Sequence, residues 1–155
     1  MRYLIATDSF KDALPAAEVC AAIERGLKLA NPAAQTVQLP LADGGEGTAE
    51  VLTQLTGGET ITSHVLAPLG RSIAAQYGMQ IDTQTAFIDM AAASGLQLLK
   101  PEERNPMLTS TYGTGQLIRD AIAHGVRKIV LGIGGSATND GGIGMATALG
   151  HQFLD

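Results

Sequence analysis

From its first residues the chain alternates short apolar runs with stretches of helical periodicity. RYLIATD (2–8) reads as a strand ending in Asp8, and LPAAEVCAAIERGLKLANP (14–32) as a helix with Pro15 in its first turn and Val19, Ile23 and Leu27 on one face. AQTVQLPLADGGEG (34–47) is a second strand running into a glycine turn, and EGTAEVLTQLTGG (46–58) a second helix stopped by Gly57 and Gly58. Two strand-to-helix crossovers in succession predict an α/β fold with a parallel sheet.

From residue 59 the rhythm changes. ETITSHVLAP, RSIAAQYGMQ and TAFIDMA are extended runs separated by the turn signals PLG and DTQ, which predicts an antiparallel or mixed insertion. STYGTGQLIRDAIAHGVRKIVLGIGG then returns to helix and strand, with Gly125 as the C-cap and KIVLGI as a central strand. Domain boundaries are expected near residues 60–70 and at the KPEERNP turn. The final HQFLD reads as the start of one more strand, which predicts a fragment of a longer protein.

What the chain binds is narrowed by its composition. With 155 residues and 45% hydrophobic content it can bury a sizeable core. The formal charge of -5 comes with basic residues scattered singly, so no positive stripe tracks a nucleic-acid backbone. The opening MRYLIATDSFKD meets Asp8 too early for a secretory signal or a membrane span, and a cytoplasmic address is expected. The single cysteine, Cys20, excludes an intrachain disulfide and falls at helical spacing with Ile23 and Leu27, as a core residue does. His64, His124 and His151 have no metal-ligand spacing to one another or to Cys20.

In parallel α/β folds, ligands collect where strand C-termini meet helix N-termini, because free backbone N–H groups and the helix dipole point there. Three loops fit: TDSFKD after the first strand, LADGGEGT after the second, and IGGSATNDGGIG after KIVLGI. Each sets acidic residues beside small ones: Asp8, then Asp43 with Glu46, then Asp140; the first loop adds Lys11. Together they offer carboxylates for a metal or a hydroxyl, an ammonium for phosphate, and glycine nests for oxyanions. Each also has a structural reading. Asp8 and Asp43 suit helix N-caps, Lys11 a solvated loop, and Arg71 either a turn cation or an anion ligand.

GIGGSA (132–137) also matches the dinucleotide fingerprint G-x-G-x-x-A, with Asp155 ending the next strand-like run, so an NAD(P)-binding oxidoreductase is a rival reading. Against it, the fingerprint's helix should be running by Asn139, whereas NDGGIG brings further glycines, each costing ~1 kcal/mol in a helix interior. No Gly-Lys-Ser/Thr triplet of a Walker loop occurs in the sequence.

DSFK (8–11), ADGGEGT (42–48), PLGR (68–71), MAAASGLQLL (90–99), RNP (104–106), TYGTGQLI (111–118) and GIGGSATNDGGIGM (132–145) occur in order along the whole chain. In these motifs it resembles the N-terminal portion of the glycerate kinase type 1 family. Asp12 and Ala13 stand where the family usually has Gly and Ser, and Gln116 where Glu is usual. The resemblance implies ATP-dependent phosphorylation of D-glycerate, with the 2-position favoured, in a protein of two α/β domains around a cleft. It implies residues 1–65 as the first part of a flavodoxin-like domain and 66–155 as the first part of a second, with a homodimer as one possible assembly. A non-catalytic α/β fragment is the other alternative.

That chemistry assigns roles to the loops. Lys11, Ser9 and the N–H groups of Gly44, Gly45, Gly47, Gly134, Gly135, Gly141 and Gly142 suit phosphate. Asp8, Asp43, Glu46 and Asp140 are candidates for holding Mg²⁺ and for accepting the hydroxyl proton: Asp140 and Asp8 are assigned, with Lys11, to the catalytic step, and Asp43 and Glu46 to the substrate and its phosphate and to Mg²⁺. Ser136, Thr138 and Asn139 would bind glycerate's hydroxyls, and Arg71 its carboxylate.

Overall fold

The computed structural model describes residues 1–11 and 13–154. Asp12, one of the departures from the family pattern, and Asp155, the acidic residue of the dinucleotide reading, lie outside the described residues. The chain forms two compact units, Met1–Asp43 and Gly44–Asp155.

The first unit is a βαβ crossover. β1 (Arg2–Ile5) and β2 (Gln35–Gln38) pair in parallel, joined through helix α1 (Ala16–Ala30). Pro15 occupies the N-cap, one residue outside its expected place, at φ -60° and ψ 154°. Thr36 and Gln38 of β2 both bond Glu24 of α1, so alternation turns Leu4 and Val37, which are register partners, to the other face of the sheet. Cys20 is fully buried as expected, its Sγ 3.7 Å from the carbonyl of Ile5. Ile23, expected on the buried face of α1, is exposed, because the two-stranded sheet buries only Ala16, Val19 and Cys20 of the helix.

The second unit holds a mixed sheet in the order β3-β4-β5-β6, from β3 (Glu59–Leu66), β4 (Ser72–Gln80), β5 (Thr85–Asp89) and β6 (Lys128–Gly132). The first two pairings are antiparallel and β5–β6 is parallel, as the change of rhythm at residue 59 predicts. Helix α2 (Thr48–Thr56) belongs to this unit, so the second crossover does not extend the β1–β2 sheet. It ends at Gly57 in the left-handed region, as expected. Short α3 (Ala91–Ser94), two 3₁₀ turns at Leu96–Leu98 and Pro101–Glu103, α4 (Tyr112–Ala123) and α5 (Ile143–Ala148) complete it. No strand forms over 151–154, contrary to expectation.

β5 is buried at every residue because helices cover both of its faces. Val65, Tyr77, Ile88, Leu117, Ile118 and Val126 form the core between the sheet and α4. On the other face a Cβ on Gly78 would fall 1.6 Å from Thr53 Oγ1, so glycine there lets α2 lie directly on β4. Tyr77, next in sequence, points the opposite way and donates to Asp120 of α4 at 2.9 Å.

Candidate functional site

The parallel pair β5–β6 ends at Asp89 opposite Gly132, and the glycine-rich segments of the second unit gather at this edge. Gly134 N–H donates to the carbonyl of Gly44 at 2.9 Å. A Cβ on Gly134 would lie 2.7 Å from Gly45 Cα, and one on Gly132 would lie 2.8 Å from the Gly44 oxygen. These two glycines therefore serve a close approach of two backbones, GGEG at the head of α2 and GIGGSATNDGG after β6.

Asp89 fastens the same loop from the strand side. Its carboxylate accepts from Gly47 N at 2.9 Å and from Ala49 N at 2.9 Å, in the first turn of α2. The N-cap of that helix is Gly47, at φ 89°, with no side chain to do the work. Asp89 is 8% exposed. Burial pushes its carboxyl above the usual range, the N–H groups of Ala49 and Gly47 oppose that, and the charge of Glu46 adds to it. Glu46 and Asp89 also line one open cavity of about 400 Å³ alongside α2.

The loop after β6 is pinned along its length. Leu96 N–H donates to Gly135 O and Ala137 N–H to Ser94 O, each at 2.9 Å. Thr109 Oγ1 donates to Ala137 O at 2.9 Å. Ser136 and Thr138 hydroxyls pair at 2.8 Å, and Asn139 is exposed. The helix of a dinucleotide fingerprint would follow Ala137 directly; here α5 begins only at Ile143, which removes the geometric basis of the NAD(P) reading.

Asp140 sits where α4 and α5 begin. Its oxygens accept from Thr111 N (2.8 Å), Thr111 Oγ1 (2.8 Å), Gly142 N (3.0 Å) and Gly144 N (3.1 Å). Thr111 Oγ1 in turn accepts from Met145 N at 2.9 Å. Four protons for about four lone-pair sites saturate the carboxylate. Burial alone would raise its pKa, but these bonds together hold it below the ordinary carboxylate value.

Arg71 forms a two-pronged ion pair with Glu103, at 2.7 and 3.0 Å, and adds Leu98 O at 3.3 Å. The guanidinium holds Glu103 down at about 2. The first unit carries Asp8, Ser9, Lys11 and Asp43. Asp8 accepts from Ser9 N at 2.6 Å and does not cap α1, while Lys11 and Asp43 are exposed.

Sequence reading misses Asp89 and Thr111. The signal for Asp89 is present, since FID ends an apolar strand with an acid as ATD does at Asp8. Thr111 stands just before the helical run, where capping residues gather. Among the described residues no three His, Cys, Asp or Glu form a metal cluster, and no helix is long and apolar enough to cross a membrane.

Comparison with known proteins agrees with the motifs. A model of the Glycerate kinase family matches residues 3–155. A glycerate kinase of Haemophilus influenzae is 56% identical over 155 residues, covering 100% of this chain and 41% of that protein. A glycerate 2-kinase of Escherichia coli is 50% identical, again over 100% of this chain and 41% of the relative. The crystal structure of a putative glycerate kinase 2 from Salmonella typhimurium superposes with a TM-score of 0.81 at 51% identity, over 97% of this chain and 41% of that one. The chain thus spans about two-fifths of the length of these relatives.

Proposed function

Because the chain belongs to the glycerate kinase family, we propose that it is the N-terminal portion of an enzyme that phosphorylates D-glycerate with ATP, giving 2-phosphoglycerate. The observation that supports this best is the meeting of two glycine loops and Asp89 at the C-terminal edge of β5–β6, the edge at which ligands of parallel α/β sheets collect. The position of phosphorylation follows the Escherichia coli relative, which is named a glycerate 2-kinase.

Phosphoryl transfer asks a protein chiefly for position and electrostatics. The ammonium of Lys11, with Ser9 two residues before it, holds phosphate oxygens, as do the N–H groups of Gly135 and Gly141; those of Gly44, Gly47, Gly134 and Gly142, expected to do the same, are given instead to Thr48, Asp89, Gly44 and Asp140. Asp8 accepts the proton of the attacking hydroxyl. Ser136, Thr138 and Asn139 orient glycerate. Asp43 and Glu46 are oxygen donors of the kind Mg²⁺ uses, which is held by one or two carboxylates together with phosphates. When bound, ATP supplies the phosphoryl group and Mg²⁺ offsets its charge.

For two residues the structural alternative is the reading taken here. With its lone pairs filled by its own chain, Asp140 acts as a clamp that sets the loop's shape. Arg71, paired with Glu103, steadies the 3₁₀ turn at Pro101–Glu103. The 1–65 and 66–155 domain assignment is retained as part of this proposal for the longer protein, as are a cytoplasmic address and a homodimer.

The test is D-glycerate-dependent ADP release by the full-length protein, with thermal stabilisation by Mg-ATP, D-glycerate and NAD(H) measured alongside. Saturating D-glycerate or Mg-ATP should stabilise by ~2.7 kcal/mol at a hundredfold excess over Kd. Stabilisation by NAD(H) alone, without ADP release, would overturn the kinase reading.

A further inference from the structure

Most helix N-termini are capped from within their own first residues, by a Ser, Thr, Asp or Asn at the N-cap. α2 has Gly47 there, and its first donors are satisfied by a carboxylate 42 residues further along the chain. That carboxylate belongs to Asp89, the last residue of a strand buried at every position. A buried carboxylate beside the negative charge of Glu46 is an expensive cap compared with a local hydroxyl. The arrangement does something a local cap cannot, which is to tie the helix start to the sheet.

The loop is tied at a second point. Gly44 O accepts from Gly134 N at 2.9 Å, and Gly132 leaves room for both the Gly44 oxygen and Asp89 Oδ1, each within about 3 Å of where its Cβ would stand. Gly45 and Glu46 lie between the two fastenings. Their backbone can shift only if the hydrogen bonds to Asp89 or the contact with Gly134 give way.

We propose that Asp89 is a positioning residue of the phosphoryl-transfer site, holding the 44–48 loop, and Glu46 with it, against the C-terminal edge of β5 and β6. This inference rests on the kinase reading above. Asp89 acts through the loop and touches neither substrate.

The experiment uses the full-length protein and the Asp89→Asn variant. Asn keeps the shape but presents an NH₂ to one of the two backbone donors. Hydrogen exchange at Gly47 and Ala49 should quicken, the far side of the second unit around α4 should keep its protection, and kcat should fall by roughly 10²-fold, the scale of an ångström-sized misplacement. Faster exchange with kcat and KM unchanged would make Asp89 a structural cap only and overturn the proposal, as would unchanged exchange. Absence of D-glycerate-dependent ADP release in the wild type would overturn the kinase reading together with this inference, whereas wild-type activity with a fully active variant overturns this inference alone. If Asp89→Asn does not fold, exchange in the wild type decides. Adding ADP and D-glycerate should protect amides 44–49, and no change there refutes the role.

Discussion

At the scale of single residues, Asp140 shows how a structure reassigns a group that the sequence marks as reactive. NDGG between a strand and a helix advertises a carboxylate at a sheet edge, which fits a catalytic acid or base and a helix cap equally well. The four donors around it are the bonds of a cap, which is the role proposed above. Asp140→Asn leaves one acceptor oxygen and points an NH₂ at backbone N–H groups, so the variant should lose about 1–3 kcal/mol of stability at neutral pH. The pH dependence has a definite sign. The folded pKa lies below the ordinary carboxylate value, so the contribution is present above that value and is lost as pH falls through the folded one. Urea titrations should therefore show wild type and Asp140→Asn converging in strongly acidic buffer. A variant as stable as wild type but with kcat lowered by 10² to 10⁴ would restore Asp140 to catalysis. The partners that settle such questions were not legible, because Glu103 lies 32 residues from Arg71 and Asp89 lies 40 residues from Ala49. Sequence patterns record local caps, and these bonds are made by the fold.

At the scale of elements, the sequence was most informative where periodicity was strong and least where glycine replaced side chains. The strands over 59–89 and the helix after Thr111 were legible because alternation and a 3.6-residue period differ plainly. The TYGTG start of α4 carried no hint of what packs on it. A Cβ on Gly115 would lie 2.4 Å from Met145 O and 2.7 Å from Ala148 Cβ, so α4 and α5 touch through this residue. Gly115→Ala gains up to ~1 kcal/mol of helix propensity. Against that, forcing apart a close-packed contact costs typically 1–3 kcal/mol. The clash wins, because the obstructing atoms are backbone and a β-carbon that cannot rotate away. The variant should show a lowered denaturation midpoint with an unchanged m-value. The displacement should also reach Asp140, since α5 begins three residues after it, and kcat should fall with stability. A midpoint equal to or above wild type would show that the two helices separate freely.

At the scale of the whole molecule, the chain matches relatives that are more than twice its length, and its first unit exposes an apolar sheet face. Leu4 and Val37 are register partners on the face of the β1–β2 sheet turned away from α1, and they are 65% and 63% exposed. A two-stranded sheet with open edges and an apolar face is a template for pairing with another copy. Residues 1–155 expressed alone should therefore elute as dimers or larger species in light scattering, and should release no ADP in response to D-glycerate. Val37→Lys should return the fragment toward monomer, because a charge on that face opposes stacking without touching the β1–β2 hydrogen bonds. The two halves of the prediction fail separately. A monodisperse wild-type fragment would mean that the exposed pair is tolerated in water. ADP release by the fragment would mean instead that Lys11, Asp8 and the glycine loops suffice for the chemistry, and that the remaining three-fifths of the relatives' length serves another purpose.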